Sequence, residues 1–247
     1  MAFSPPLSPR TIARLAHAVF LILAVIATWT LWRGFVRPAM PPARSAFDTR
    51  HDVDTDGEIF VGQLGMPADI AAQAERYMPT EEGLLEVAVA FAGIEPTRFS
   101  FVDLGCGKGR PLILAAQLRF RRLIGVEIVP ALADIARANL ARLGVAAEVH
   151  TGDAARFVFP PEPVVLFLFN PFKAATIGAV IEALRAARSP ELVVIYHAPE
   201  HGKLLDASGF LTRLGSPRGW GGRRGVAVWR GTGKLASGVA RDTGPPC

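Results

Sequence analysis

The chain has 247 residues, of which 50% are apolar and 20% charged, and its formal net charge is +5 at pH 7. This length accommodates one well-buried α/β domain with additional segments, but not two full domains. The two cysteines, Cys106 and Cys247, exclude a disulfide framework and a cysteine-based metal site, which fits a reducing compartment.

An uncharged apolar stretch lies near the amino end, over residues 15–32, and spans 18 residues. As a helix it would be about 27 Å long at ~1.5 Å per residue, close to the ~30 Å hydrocarbon core of a bilayer. Trp29 and Trp32 lie at one end, where an aromatic belt is expected. We therefore predict a transmembrane anchor over 15–32 behind an N-terminal tail over 1–14. A cleavable signal peptide and an interfacial helix are the alternatives.

The charges that flank this stretch predict its orientation. Arginines precede it at Arg10 and Arg14, and they follow it at Arg33, Arg37, Arg44 and Arg50. Because the more positive flank tends to stay in the cytoplasm, we expect a single-pass membrane protein whose C-terminal body faces the cytoplasm.

A linker and an acidic segment follow the apolar stretch. Residues 33–46 are rich in proline and arginine and lack periodicity, which predicts a linker. Residues 47–57 contain four aspartates, and Asp52-x-Asp54-x-Asp56-Gly57 matches the start of a calcium loop. Gln63 stands where the closing glutamate is required, so we predict no metal site. We expect instead a polar loop near the mouth of the functional site.

Two helices are predicted before the first strand. Residues 67–76 form a short helix with proline in its first turn. A second helix covers 81–91, with Thr80 as its N-cap and Gly93 at its end.

Residues 99–110 predict a strand, a glycine turn and the start of a helix. Asp103 lies near the strand end, and the three alternating glycines are Gly105, Gly107 and Gly109. Such a turn lets the backbone approach a ligand, and the helix N-terminus offers free N–H groups. The dinucleotide fingerprint requires glycine where Arg110 stands, which disfavours a dinucleotide oxidoreductase.

Acids also follow the next two strands. Glu127 is the last residue of the strand over 123–127, about 20 residues beyond the glycine turn. In Rossmann-like halves an acid at this position accepts hydrogen bonds from ribose hydroxyl groups. Asp153 and Ala154 follow the strand over 145–149, where a carboxylate could meet an adenine amino group. Since the carboxyl ends of parallel strands share one sheet edge, we expect these acids to converge.

The fourth strand, over 164–169, is continuously apolar, as a central parallel strand should be. Asn170, Pro171 and Phe172 follow it at the edge where ligands bind. A fifth strand over 192–196 leads to His197, a candidate participant in proton transfer. Two further strands are predicted over 210–214 and 226–229.

This set of residues resembles the class I S-adenosylmethionine-dependent methyltransferases over about 77–230. The resemblance implies a Rossmann-like α/β fold with a seven-stranded, mostly parallel sheet, helices on both faces and S-adenosylmethionine as cofactor. It implies that Asp103, the three glycines, Glu127, Asp153 and Ala154 hold that cofactor.

Two motifs narrow the resemblance. Asn170-Pro171-Phe172 resembles the Asn/Asp-Pro-Pro-Tyr/Phe motif of amino-group methyltransferases, shortened by one proline. In that motif the asparagine oxygen accepts a hydrogen bond from the target nitrogen and the aromatic ring holds the acceptor. Tyr77-Met-Pro-Thr80 is similar to a segment of non-SET lysine methyltransferases and their bacterial relatives that closes over the cofactor. This similarity implies Tyr77 and Thr80 as cofactor contacts and a protein lysine as methyl acceptor.

We therefore expect a methyltransferase domain over 47–230 and a disordered tail over 231–247. A membrane-tethered cofactor-binding protein without turnover is the alternative. Arg218, Arg223 and Arg224 could meet RNA or an acidic partner, but we interpret them as exposed loop charges.

Overall fold

The computed structural model describes residues 8, 10, 17–19, 21–24, 44–60, 76–170, 172–187, 189–221 and 225–232. The chain divides into two compact units, Met1–Ala43 and Arg44–Cys247. In the first, residues 17–19 and 21–24 are helical. A search of these described residues finds no helix long and apolar enough to cross a bilayer. Most of the predicted anchor over 15–32 lies outside them, so the anchor stays a prediction.

The second unit is built on a seven-stranded sheet with the order β3-β2-β1-β4-β5-β7-β6. Its strands are β1 (Ser100–Leu104), β2 (Arg122–Glu127), β3 (Glu148–Thr151), β4 (Val164–Phe169), β5 (Leu192–His197), β6 (Leu211–Gly215) and β7 (Val226–Gly231). The first five are mutually parallel, whereas β7 runs antiparallel to both β5 and β6. The predicted Rossmann-like sheet is therefore confirmed, and its strand order reverses between β1 and β4, where such sheets bind ligands.

Helices cover both faces of this sheet. They are α1 (Ala46–His51), α2 (Leu84–Ala92), α3 (Arg110–Gln117), α4 (Pro130–Arg142), α5 (Ala174–Ala187) and α6 (Gly202–Asp206). Side chains alternate across the strands, so Phe101 and Phe167 join one core cluster while Val102 and Leu166 join the other. The first cluster includes residues of α1, α2 and α3, and the second includes those of α5 and α6.

Two boundaries differ from the sequence prediction for identifiable reasons. Thr80 does not cap a helix, because α2 begins at Leu84 after Gly83, whose φ is 80°. The third strand starts at Glu148 rather than at 145, because the backbone N–H of Val145 is used by the helix before it. That N–H donates to the carbonyl of Leu140 after the left-handed Gly144, which is a helix C-terminal capping pattern.

The remaining predicted segments are placed only in part. The helix expected over 67–76 lies outside the described residues except for Arg76. At the other end, β7 continues to Gly231 and the N–H of Thr232 donates to the carbonyl of Phe210. Residues 233–247, which hold most of the predicted disordered tail, lie outside the described residues.

Candidate active site

A cavity of about 920 Å³ opens at the carboxyl ends of the parallel strands, where the strand order reverses. Most of the residues that the sequence singled out line it: Tyr77, Thr80, Asp103, Gly105, Gly107, Glu127, Asp153, Ala154, Asn170 and Phe172. His197 lines it as well. Pro171 lies outside the described residues, and Gly109 contacts a neighbouring helix instead. The topology thus brings residues from five strand ends to one cavity.

The glycine turn has the backbone that its sequence requires. Gly105, Gly107 and Gly109 have φ values of 80°, 52° and 87°, in the left-handed region that favours glycine. A Cβ atom on Gly107 would lie 2.4 Å from two ring carbons of Tyr77, so the Tyr77 ring covers the turn directly. A Cβ on Gly109 would lie 3.1 Å from the Cβ of Ala136, so Gly109 permits close packing of α3 on α4.

Glu127 connects the second strand to the glycine turn. Its Oε2 accepts a hydrogen bond from the N–H of Gly107 at 2.8 Å, and its Oε1 accepts one from the N–H of Val129 at 2.9 Å. Burial raises the pKa of this carboxyl, and hydrogen bonds from the N–H groups of Val129, Gly107 and Ile128 oppose that rise. A carboxylate has about four acceptor sites, so the group can hold the turn and still accept a hydrogen bond from a ribose hydroxyl.

Asp103 is the buried polar group that most clearly calls for a ligand. Its side chain is 1% exposed and lines the cavity, yet its Oδ2 has no hydrogen-bond partner among the described residues. Burial, and secondarily the charge of Glu127, raises the pKa of Asp103 well above its ordinary value. An unpaired buried acceptor is costly, so a ligand that brings hydrogen-bond donors or positive charge fits here.

Asp153 and Ala154 form the wall below β3. Asp153 Oδ1 accepts from the N–H of Ala155 at 2.8 Å and so caps the short 3₁₀ turn Ala154–Arg156. Ala154 is buried beside it. The cap fixes the carboxylate at the rim, where its second oxygen suits an exocyclic amino group.

The corner after β4 is held by several hydrogen bonds to Asn170. Its φ is 37°, and its backbone N–H donates to the carbonyl of His197 at 3.1 Å. Its side-chain Nδ2 donates to Oε2 of Glu200 at 3.1 Å, while its Oδ1 accepts from the hydroxyl of Tyr196 at 3.3 Å. Asn170 thus presents a fixed amide to the cavity, and Phe172 lies buried next to it.

His197 and Glu200 differ in how far the sequence signalled them. His197 is 5% exposed and stacks on Phe169 with ring centroids 3.9 Å apart, which fixes its ring at the cavity wall. Glu200 also lines the cavity, and sequence analysis missed it. Its position three residues past the end of β5 was the available signal, because that sheet edge is where ligands bind.

The acidic segment is packed more tightly than a polar loop. Phe47, Asp48, Val53 and Thr55 are all buried. Glu58 lines the cavity, so the segment does lie beside the site, and we call residues 44–60 the strap. Asp54 and Asp56 are paired with Lys108 and Arg110 of the glycine turn. Among the described residues no group of acids, histidines or cysteines could hold a metal ion.

Comparison with known proteins gives one family match and a set of proteins with a similar fold. Residues 101–190 match the Methyltransferase domain family. The yhhF protein of Escherichia coli, which carries the name of a methyltransferase, superposes with a TM-score of 0.54 at 15% identity, covering 65% of this chain and 93% of that one. S-adenosylmethionine-bound CalS10, an amino pentose methyltransferase from Micromonospora echinaspora, gives a TM-score of 0.47 at 19% identity, over 62% and 92%. These identities establish similarity of fold alone. No curated protein matches significantly.

The sheet order, the cavity at its reversal point and the family match together define a methyltransferase domain. The chain is therefore an S-adenosylmethionine-dependent methyltransferase, and S-adenosylmethionine is its cofactor. The cavity fits that group: Asp103 lacks a donor, Glu127 retains acceptor capacity, and the backbone turn under Tyr77 admits only glycine.

Replacing Asp103 by Asn should weaken cofactor binding at least tenfold, equivalent to about 1.4 kcal/mol. The substitution keeps the shape of the side chain but removes the negative charge that faces the cavity. Isothermal calorimetry with S-adenosylhomocysteine measures the effect. Asp134→Asn is the matched control, since Asp134 is exposed on α4 and pairs with Arg137. Equal affinity of the Asp103→Asn and wild-type proteins would contradict a cofactor role for this carboxyl.

The same buried carboxyl should make the ligand-free protein less stable as pH rises. An unfolded Asp103 ionises near its ordinary pKa of about 3.9, whereas the folded one ionises only at a higher pH. Between those two values the folded state binds more protons, so the free energy of unfolding falls with increasing pH. Denaturant titrations from pH 4 to 8 should show Asp103→Asn gaining stability over wild type as pH rises. A difference that is constant with pH would refute this origin.

Proposed function

We propose that this protein transfers a methyl group to an amine nitrogen, with a protein lysine side chain as the favoured acceptor. The observation that carries the proposal is the fixed amide of Asn170 beside Phe172, at the edge of the cofactor cavity. An amide oxygen accepts a hydrogen bond from an amine N–H, and an aromatic ring accommodates an alkylammonium stem. Together these groups suit a nitrogen on a flexible aliphatic chain.

The charges around the cavity support a cationic acceptor. The acids in its lining are Glu58, Glu81, Asp103, Glu127, Asp153 and Glu200, and the lining also includes Arg76 and Arg110. Both arginines are already paired with acids, Arg76 with Glu58 and Arg110 with Asp48 and Asp56. The lining is therefore acidic although the whole chain carries +5. A cleft of one sign concentrates ligands of the other, so this cavity favours amines over phosphate-rich nucleic acid.

The main role of the protein in this reaction is to position the acceptor. S-adenosylmethionine supplies an electrophilic methyl group on a sulfonium. The acceptor nitrogen would gain that methyl group and release one proton. For lysine, deprotonation at pH 7 costs roughly 4–5 kcal/mol. Glu200 is exposed and hydrogen-bonded to Asn170, so it is placed to attract the ammonium and to take up the proton. Alignment of the two reactants supplies the larger part of the rate.

The proposal includes a membrane tether for the catalytic domain. The apolar stretch over 15–32, with more arginines after it than before it, supports an anchor that leaves the domain in the cytoplasm. S-adenosylmethionine is available there. Carbonate extraction of membranes that carry the full chain tests the anchor, since an integral protein stays in the pellet. Recovery of the full chain in the supernatant would argue against it.

Asn170→Ala should separate catalysis from cofactor binding. Within the described part of the chain the side chain of Asn170 hydrogen-bonds to Glu200 and Tyr196 and not to Asp103 or Glu127, so the affinity for S-adenosylhomocysteine should change less than threefold. Methyl transfer should fall at least a hundredfold, because the acceptor loses its orienting hydrogen bond. Calorimetry and single-turnover transfer measure the two effects. Gln117→Ala, an exposed change at the end of α3, is the control. Unchanged transfer by Asn170→Ala would contradict the role assigned to the Asn170 amide.

The acceptor class is tested by supplying the full chain and radiolabelled S-adenosylmethionine to a fractionated lysate. Label should enter protein and appear as methyllysine after acid hydrolysis. Glu200→Gln, which keeps an acceptor for Asn170 but removes the charge, should reduce that label at least fivefold without changing cofactor affinity. Label in nucleic acid, lipid or small molecules would contradict the lysine acceptor, and equal labelling by Glu200→Gln would contradict the charge argument.

A further inference from the structure

Arg110, which stands where the dinucleotide fingerprint requires a glycine, is itself an extensively hydrogen-bonded residue. It begins α3, its side chain is buried, and its guanidinium lies 4.6 Å from the ring centroid of Phe47. All of its side-chain hydrogen bonds reach residues that precede β1 in the chain. Nε donates to Thr55 Oγ1 at 2.7 Å and Nη1 to the Thr80 carbonyl at 3.4 Å, and Nη2 donates to Ser45 Oγ at 3.3 Å, Asp48 Oδ1 at 3.1 Å and Asp56 Oδ1 at 2.6 Å. The side chain of Arg110 thus contacts four residues of the strap, Ser45, Asp48, Thr55 and Asp56.

The strap closes around Asp48, which is 1% exposed. Asp48 Oδ2 accepts from the backbone N–H of Thr55 at 2.7 Å and from that of Asp56 at 2.9 Å, while its Oδ1 accepts from the Thr55 hydroxyl and from Arg110. These four donors satisfy the lone pairs of the buried carboxylate. Asp48 therefore folds the strap back on itself and presents it to Arg110.

A second set of contacts fixes the strap to the same turn and to α4. Lys108 Nζ donates to Asp54 Oδ1 and to the Asp56 carbonyl, both at 2.7 Å. Asn139 on α4 donates to the carbonyls of Asp54 and Lys108, at 2.7 and 3.0 Å, and accepts from the N–H of Asp54 at 2.9 Å. The glycine turn therefore contributes two cations, one on each side of Gly109, and both form ion pairs with aspartates of the strap.

The strap in turn holds the wall of the cofactor cavity. The hydroxyl of Tyr77 donates to the carbonyl of Thr55, and Ile59 and Tyr77 exchange backbone hydrogen bonds of 3.2 and 2.9 Å. Arg110 itself holds the carbonyl of Thr80. Glu58 lines the cavity, but no strap residue from 44 to 57 does. The strap thus acts on the site through the position of Tyr77, whose ring lies over Gly107.

We propose that Arg110 is a positioning residue for cofactor binding: it draws the strap onto the glycine turn, and the strap holds Tyr77 and Thr80 as the wall that closes over the cofactor. Affinity for the cofactor then depends on strap residues that do not touch it. By linkage, a cofactor that binds the closed arrangement more tightly must stabilise the strap by the same factor. The proposal rests on the cofactor site and is independent of which acceptor is methylated.

Thr55→Val is the decisive variant, because it keeps Arg110 and the volume of the buried side chain. It removes the hydroxyl that Arg110 Nε and Asp48 Oδ1 share, and Thr55 does not line the cavity. Arg110→Lys is its companion: the charge stays, but the fork that reaches Thr55, Asp48 and Thr80 together is lost. Arg142→Met is the matched control, since Arg142 also pairs with the strap, at 2.6 Å from Asp52, but on the exposed surface.

The experiment measures two quantities on the full chain of each variant: the Kd for S-adenosylhomocysteine by calorimetry, and amide hydrogen exchange with and without that ligand. In wild type the ligand should slow exchange over 44–57 as well as over 76–80. Thr55→Val and Arg110→Lys should raise the Kd at least tenfold and speed exchange in both segments together, while β4 and β5 keep their protection. Arg142→Met should keep the Kd within twofold of wild type.

Three results would overturn the proposal. In the first, Thr55→Val loses strap protection but keeps the wild-type Kd, which would make the strap a purely structural element. In the second, Arg110→Lys weakens binding while Thr55→Val does not, which would indicate direct contact between Arg110 and the cofactor. In the third, the ligand leaves exchange over 44–57 unchanged. Should Arg110→Lys fail to fold, Thr55→Val and the ligand effect on wild type still decide. None of these readouts involves methyl transfer, so they stand apart from the test of the acceptor.

Discussion

Two carboxyl groups buried at the ends of adjacent parallel strands are the constraint around which the functional site is organised. Asp103 lies near the carboxyl end of β1 and Glu127 at the carboxyl end of β2, and burial raises the pKa of both carboxyl groups. Such groups destabilise a fold unless they are hydrogen-bonded or meet positive charge. Glu127 meets two backbone N–H donors of the surrounding turns, whereas Asp103 faces the cavity with one oxygen unsatisfied. The ligand-free protein therefore carries a cost that a donor-bearing, cationic cofactor relieves.

The surroundings of these acids explain why the remaining charges are arranged as they are. Lys108 and Arg110 stand in the same turn as the cofactor glycines and could have neutralised the two carboxyls directly. Instead, both cations pair with Asp54, Asp48 and Asp56 of the strap. The positive charge of the turn is thereby used to hold the strap in place and does not pair with the acids of the cavity. Separation of the two charge sets is what lets one turn serve both purposes.

On the other side of the strand reversal lies the corner after β4, which we propose binds the methyl acceptor. Asn170 is held in a positive-φ conformation by the His197 carbonyl and by two side-chain partners, Glu200 and Tyr196. A residue that is fixed on three sides loses little freedom when an acceptor binds, which favours alignment of the reactants. His197, a candidate for proton transfer, is packed against Phe169. Glu200 is the more accessible of the two groups.

The amino-acid sequence determined the parallel strands and the glycine turn, because apolar runs, acids and alternating glycines at strand ends are local patterns with local causes. It also determined which residues would share one sheet edge, since parallel strands place their carboxyl ends together. Only the tertiary structure decided that the strap is packed against the glycine turn, because its aspartates pair with cations 54 to 62 residues away in the chain. A charged segment looks solvated in sequence, and burial becomes favourable only when distant partners satisfy every lone pair.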